Sequence, residues 1–258
     1  MDYLIAILAG ALQGLTEFLP VSSTAHLVIF QKVFNLPQDQ FGLGFDASIH
    51  LGTLLAVLIF FAKDYISILI LKNQLYKKII IGTVPAIVFG FLLEGFIENE
   101  LRNLTIIGAA LIIFSAVIFY AEQIGQKKKD SAKITLFDSM VIGFAQALAL
   151  IPGISRSGAT ISAGLFIGLT RESAAQFAFL LSGPIIAGAG LKKFTEALSD
   201  GQASDISLLI VGITTSFIFG YLTIKYFLKY LSTRSLNVFI VYRVALGLLL
   251  LLIPFLVR

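Results

Sequence analysis

The sequence predicts an all-α integral membrane protein built as an inverted-topology repeat, with six transmembrane helices and two re-entrant helical hairpins meeting near the midplane. Three observations carry that prediction. Hydrophobic residues fill 57% of the 258 positions and charged residues only 13%, about half the charged share of an ordinary soluble domain. Six apolar stretches reach the roughly 20 residues needed to cross a hydrocarbon core of about 30 Å. Two further stretches are interrupted by Pro20 and Pro152 and crowded with Ser, Thr, His, Arg and Glu.

In chain order, the first element is the broken stretch 3–34. Met1-Asp2-Tyr3 lacks a basic leader and no small-residue cleavage site is evident, so it is expected to be mature protein rather than a signal peptide. Full spans follow at about 41–62, 79–97 and 104–122. The second broken stretch covers 135–168, and the remaining spans lie at about 173–193, 206–228 and 236–257. Irregular backbone at membrane depth is tolerated only inside protein or against water, so the two broken stretches read as hairpins.

The halves resemble each other. Gly82, Phe89, Gly90 and Leu92 recur 130 positions later as Gly212, Phe219, Gly220 and Leu222. Leu51-Gly52-Thr53-Leu54-Leu55-Ala56 aligns with Ser182-Gly183-Pro184-Ile185-Ile186-Ala187, and Gly10, Gln13 and Pro20 align with Gly143, Gln146 and Pro152 across a one-residue gap. The expected boundaries are a first repeat at 1–133, with its hairpin at 1–40, and a second at 134–258, with its hairpin at 135–168. Together they make one membrane domain. One hairpin plus three spans per half turns the second half upside down.

Charge placement agrees with that topology. Lys63, Lys72, Lys77, Lys78, Lys127, Lys128, Lys129, Lys133, Lys225, Lys229 and Arg234 fall in loops on one face, which should be cytoplasmic. Glu94, Glu98, Glu100, Arg102, Lys192, Lys193, Glu196, Asp200 and Asp205 fall on the other, so both termini are expected outside. The net charge of +4 is therefore no mark of nucleic acid. Without cysteine, disulfides, thiolate catalysis and Cys-ligated zinc are excluded.

Chemistry concentrates at the breaks. The first reads Gln13-Gly14-Leu15-Thr16-Glu17-Phe18-Leu19-Pro20-Val21-Ser22-Ser23-Thr24-Ala25-His26. Spacing i, i+4 puts Gln13 and Glu17 on one helix face. Pro20 ends that helix, and Ser22, Ser23 or Thr24 can cap the next, whose free N–H groups suit a phosphate. The second reads Pro152-Gly153-Ile154-Ser155-Arg156-Ser157-Gly158-Ala159-Thr160, three hydroxyls around a permanent cation. Arg matches two phosphate oxygens at once. At membrane depth it costs about 2.5–3.5 kcal/mol, which a bound diphosphate or Glu17 would offset.

Blander readings exist for each residue. A Ser/Thr cluster after Pro can simply restart a helix, and a Glu–Arg pair can simply fix hairpin packing. Convergence of acid, imidazole, hydroxyls and guanidinium at two related tips favours chemistry. Among other ionisable groups, Glu172 with Arg171 reads as an interfacial helix start and Arg243 as a packing or snorkelling residue. Asp46 and His50, four apart, read equally as structure or as the site mouth.

At these motifs the chain resembles the bacitracin-resistance type undecaprenyl-diphosphate phosphatases. The first signature runs from Gln13 through Glu17 and Pro20 to His26, the second from Pro152 to Thr160. The resemblance implies a bacterial plasma-membrane enzyme that removes the terminal phosphate of undecaprenyl diphosphate, recycling the carrier for cell-wall synthesis and conferring bacitracin resistance. It implies a divalent metal, Mg²⁺ or Ca²⁺, and a site opening to the outer face. Glu17, His26 and Arg156 match the family's catalytic positions. Ser22, Ser23, Ser155 and Thr160 match its phosphate-site hydroxyls, with Thr24 and Ser157 beside them. Glu17 and Gln13 would be the metal-side oxygens, Gln13 standing where other members carry a second Glu.

Ser23 and His26, three apart on one helical face, suggest a serine nucleophile with an imidazole base; His26 and Glu17 activating water is the alternative. The expected partners are a polyprenyl diphosphate and the bilayer, with no nucleic acid, and a homodimer is compatible with the sequence. The rival from another class is a lipid or small-anion transporter, or a flippase, which uses the same architecture without releasing phosphate.

Overall fold

Pro20 sets the first landmark. The residue before a proline is pushed out of the α region, so helix α1 (Asp2–Phe18) stops and Leu19 is extended at φ −73°, ψ 145°. The chain restarts as α2 (Ser23–Val33), and a second break around Pro152 separates α8 (Leu136–Leu148), which already ends at an αR Ala149, from α9 (Arg156–Phe166). The structure is a computed structural model that describes residues 1–70, 74–199 and 206–256. Lys72, Asp200 and Asp205, used above to assign the faces, lie outside the described residues, as do residue 257 and the side chains of Glu98, Lys193 and Glu196.

The other helices are α3 (Gln38–Phe41), α4 (Leu43–Phe60), α5 (Ala62–Leu69), α6 (Leu75–Phe96), α7 (Leu104–Ile124), α10 (Arg171–Ser199), α11 (Ile206–Leu231) and α12 (Asn237–Leu256). A π-helical turn at Ile97–Leu101 leads into Arg102, and a 3-10 turn covers Ser131–Lys133. No strand forms among the described residues, which hold one isolated bridge, Lys129 with Leu169.

Five described helices are long and apolar enough to cross a membrane: Leu43–Phe60, Leu75–Phe96, Leu104–Ile124, Arg171–Lys192 and Ile206–Leu231. The sixth expected span corresponds to α12, whose described apolar part, Asn237–Leu252, is shorter. Outward faces stay apolar: Ile80, Val84, Ile87, Phe91 and Leu92 of α6 are exposed. A solvated surface would scatter such residues; a continuous belt of them needs lipid.

Helix α1 lies along α11 and α8 along α6, while α4 packs on α10 and α11, and α7 on α12. Close backbone approach decides the first two pairs. A Cβ on Gly10 would stand 2.5 Å from the Gly212 carbonyl oxygen, and one on Gly143 would stand 2.5 Å from that of Gly82. Only glycine permits such contacts, the usual device where lipid supplies no hydrophobic drive between helices.

Between the long helices sits an apolar core in which Phe18 packs edge-on against Phe179, ring centroids 5.2 Å apart. The last residue of α1 is thus anchored immediately beside the first break, which fixes where Glu17 points.

Candidate functional site

Each break ends on a serine in an unusual conformation. Ser22 has φ 72° and Ser155 φ 75°, a region that residues with a Cβ rarely occupy. Each serine caps the helix it precedes: Ser155 Oγ accepts the Gly158 N–H at 3.2 Å, and Ser22 Oγ accepts the Ala25 N–H at 3.5 Å. Strained backbone of this kind persists where the surroundings hold it in place, commonly at functional sites. Here the surroundings include Arg243.

Arg243 of α12 is fully buried and bonds to both breaks. Its guanidinium donates to the Pro20 carbonyl at 3.1 Å and the Gly153 carbonyl at 3.0 Å, and also to Ser115 Oγ and the Leu111 carbonyl on α7. No carboxylate partners it among the described residues. The snorkelling alternative is therefore corrected: the side chain is an interior tie between the two tips. Ser157 adds a second tie, its hydroxyl donating to the Leu19 carbonyl at 2.9 Å. At Gly153, φ is +100° and a Cβ would stand 2.6 Å from the Ile107 carbonyl oxygen, so this turn also requires glycine.

Both breaks line one cavity of about 310 Å³, together with α4, the π-helical turn and α10. Glu17 is its hub. Its Oε1 accepts from the Arg156 guanidinium; its Oε2 accepts from Ser23 Oγ at 2.6 Å and Gln13 Nε2 at 2.9 Å. His50 Nε2 lies 3.7 Å from Oε2. A nucleophile-type hydroxyl, a carboxylate and a guanidinium thus form one continuous chain assembled from both halves of the sequence.

The structure brings together Glu17, Ser22, Ser23, Thr24, Ser155 and Arg156 on the cavity wall. Four expected site residues lie off that wall, among them Gln13, which is fully buried and meets the site through its bond to Glu17. Ser157 serves the tie to Leu19, and Thr160 Oγ1 bonds back to the Arg156 carbonyl at 2.8 Å, one helical turn away. His26 also lies off it. Its Nδ1 is 2.8 Å from the Ser22 carbonyl, which can only accept, so Nδ1 carries the hydrogen. In the neutral ring Nε2 is then left to accept from the Tyr242 hydroxyl at 2.6 Å. The Ser23–His26 pair expected from i, i+3 spacing is not formed, because the first turn of α2 aims Ser23 back across the break to Glu17.

Asp46 and His50 both line the cavity. Arg102, which sequence reasoning left among loop charges, joins them, its Nη2 3.2 Å from Asp46 Oδ2. Arg171 does not pair with Glu172; it bonds to the buried Glu122 of α7, while Glu172 accepts from Gln176 at 3.2 Å. That corrects the helix-start pairing.

The cavity's carboxylates, Glu17 and Asp46, are balanced by Arg156 and Arg102, so an entering diphosphate brings uncompensated negative charge. As donors for a metal ion, the described residues contain no cluster of three or more His, Asp or Glu. They do offer the Glu17 carboxylate and Gln13 Oε1, a buried oxygen without a hydrogen-bond partner. That set fits a hard divalent cation which keeps water and takes phosphate oxygens, rather than an all-protein cage.

Residues 6–249 match the family described as "Bacitracin resistance protein BacA". Among curated proteins, an "Undecaprenyl-diphosphatase" from Thermodesulfovibrio yellowstonii is 46% identical over 256 residues, covering 99% of each chain. Proteins of the same description from Rubrobacter xylanophilus and Alcanivorax borkumensis are 42% and 40% identical, covering 96% of this chain and 96% of the first, and 97% of this chain and 98% of the second.

Proposed function

The chain belongs to the bacitracin resistance protein BacA family, and from that premise we propose a mechanism in which Ser23, Glu17 and Arg156 work as one unit on undecaprenyl diphosphate. The protein is a membrane-embedded hydrolase that converts this lipid to undecaprenyl phosphate and inorganic phosphate, which recycles the carrier for cell-wall synthesis and underlies bacitracin resistance. The transporter alternative is not favoured. The observation that carries the mechanism is the 2.6 Å bond from Ser23 Oγ to Glu17.

Glu17 takes the Ser23 proton as Oγ attacks the terminal phosphorus. The bond from that phosphorus to the bridging oxygen breaks, undecaprenyl phosphate leaves, and Ser23 carries the phosphoryl group. Glu17 passes that proton to the bridging oxygen of the leaving undecaprenyl phosphate. Ionised again, it takes a proton from the water that attacks the phosphoserine and returns it to Ser23 Oγ as the phosphorus–Oγ bond breaks and inorganic phosphate departs. Arg156 shifts part of its guanidinium from Glu17 to the phosphoryl oxygens, where its buried Nη1 has no other partner. Fixed donors aimed at developing charge are the largest source of rate in such transfers. The N-terminus of α9, capped by Ser155, supports the same anion.

A divalent cation, Mg²⁺ or Ca²⁺, held by Glu17 and Gln13 Oε1 would neutralise diphosphate charge that the balanced cavity leaves over. His26 supports the first break through Ser22 in this reading, and the lone pair a base would use faces Tyr242.

The inverted repeat, with units at 1–133 and 134–258 and re-entrant hairpins at α1–α2 and α8–α9, belongs to the same proposal. Two parallels support it: the cap serines Ser22 and Ser155, and the glycine contacts Gly10 to Gly212 and Gly143 to Gly82. A bacterial plasma-membrane location with both termini and the cavity mouth on the outer face is supported by the cavity wall. It includes Leu43, Ile97 and Arg102, at the ends of α4, α6 and α7 remote from the basic loops.

The test is phosphate release from undecaprenyl diphosphate by purified protein in detergent, with and without a chelator, for wild type and Ser23→Ala. Full turnover by Ser23→Ala would remove the serine route. Undiminished release after exhaustive chelation would remove the metal.

A further inference from the structure

Arg102 is a cavity-lining cation that the mechanism above does not use. It follows a π-helical turn, a distorted element that recurs at functional sites. Among the described residues its one acceptor is Asp46, through a single contact of 3.2 Å, and its side chain keeps 23% of its surface exposed. Asp46 is held independently: Gln31 Nε2 donates to its Oδ1 at 2.9 Å and to the Phe41 carbonyl at 2.8 Å. Arg102 can therefore release Asp46 without leaving that carboxylate bare.

Its location is set by α4. His50 stands beside Glu17, and Asp46 lies four residues earlier on the same helix, a rise of about 6 Å. Arg102 is thus about one helical turn from the Glu17–Arg156 pair, towards the start of α4. The cavity wall at that same end is apolar, with Leu43 at the start of α4 and Ile97 in the π-helical turn before Arg102. A polyprenyl diphosphate with its terminal phosphorus at Ser23 must direct its hydrocarbon chain along such a wall, and its inner phosphate lies between the two.

We propose that Arg102 binds the phosphate that stays on the lipid, exchanging Asp46 for it when substrate enters. The cavity then holds two cationic subsites with separate duties: Arg156 for the phosphate that is transferred and Arg102 for the one retained. Asp46 occupies Arg102 in the resting protein. This inference rests on the hydrolytic reading, and its experiment distinguishes the two.

The measurement is product inhibition of phosphate release by undecaprenyl phosphate and by inorganic phosphate, for wild type, Arg102→Ala, Arg102→Lys and Asp46→Asn. Undecaprenyl phosphate carries only the retained phosphate and inorganic phosphate only the transferred one. Arg102→Ala should weaken inhibition by the lipid product about tenfold and raise KM similarly, with inhibition by inorganic phosphate unchanged. Arg102→Lys should recover part of the lipid affinity. Asp46→Asn should strengthen lipid-product binding, because the competing charge is gone.

Equal inhibition constants in wild type and Arg102→Ala would overturn the proposal, as would equal weakening for both products. A lower melting temperature for Arg102→Ala and Asp46→Asn alike, with KM unchanged in both, would reduce the pair to a structural tie and overturn it too. A wild-type protein that releases no phosphate would instead defeat the hydrolytic reading itself.

Discussion

Ser23 and Glu17 sit six residues apart on two different helices, yet the hydroxyl of one donates to the carboxylate of the other at 2.6 Å. The break at Pro20 folds the chain back so that the residue opening α2 meets the last but one residue of α1. If that bond is the proton path, Glu17→Gln should lower kcat by roughly 10³-fold, in the range of a lost general base. Ser23→Ala should abolish incorporation of label from terminally labelled diphosphate into protein. Label retained in Ser23→Ala would assign the phosphoenzyme elsewhere.

His26 should matter less. With both ring nitrogens engaged by Ser22 and Tyr242, His26→Ala is expected to cost about tenfold in kcat, a loss of positioning rather than of a base. Parallel assays of His26→Ala and Glu17→Gln check the order, and the reverse order would restore the imidazole as base.

At Arg156, charge alone is not enough. The guanidinium must serve Glu17 and a phosphoryl group together, which a lysine's single ammonium cannot do in the same plane. Arg156→Lys should keep substrate affinity within a few-fold while kcat falls about 10²-fold, as when one fixed donor to a transition state is lost. Steady-state kinetics that separate KM from kcat give the answer.

Replacing Arg243 with Met should strand the Pro20 and Gly153 carbonyls, each worth about 1–3 kcal/mol when buried without a donor. A drop in melting temperature of roughly 10 °C in detergent follows from a loss of about 3–4 kcal/mol in a chain of this size. Phosphate release measured well below the new melting point should also fall, since both breaks lose their shared tie. Unchanged activity there would show that the tips hold themselves.

Helix contact gives a further check. Gly143→Val must push a side chain into the Gly82 backbone and should destabilise by more than the ~1–3 kcal/mol of ordinary overpacking. Gly90→Ala, whose new Cβ meets its nearest neighbour at 3.8 Å, should be near neutral. Thermal unfolding of the two variants measures the contrast.

Much of this was legible in the sequence, because membrane spans and proline breaks act locally. The helix end at Phe18 follows from Pro20, and the cap at Ser22 is one of the three hydroxyls expected there. What could not be read was direction. Spacing placed Ser23 and His26 on one face of α2, but only the fold says that the start of α2 turns Ser23 towards α1 while His26 meets Tyr242, 216 positions away. The choice between packing and snorkelling for Arg243, and the place of Arg102, could not be read for a related reason. Arg243 satisfies itself on carbonyls that exist as free acceptors only because two helices are broken, and Arg102 reaches the cavity from a loop.

Arg243 also bears on how the molecule comes to be assembled. It lies in α12, which is synthesised after the segments that hold its four acceptors, at Pro20, Leu111, Ser115 and Gly153. A guanidinium entering the bilayer alone would meet a barrier of several kcal/mol; one arriving beside a preformed ring of oxygens meets a receptor. The seat of α12 is thereby tied to the shape of both breaks, since two of the oxygens that receive its guanidinium, at Pro20 and Gly153, belong to them.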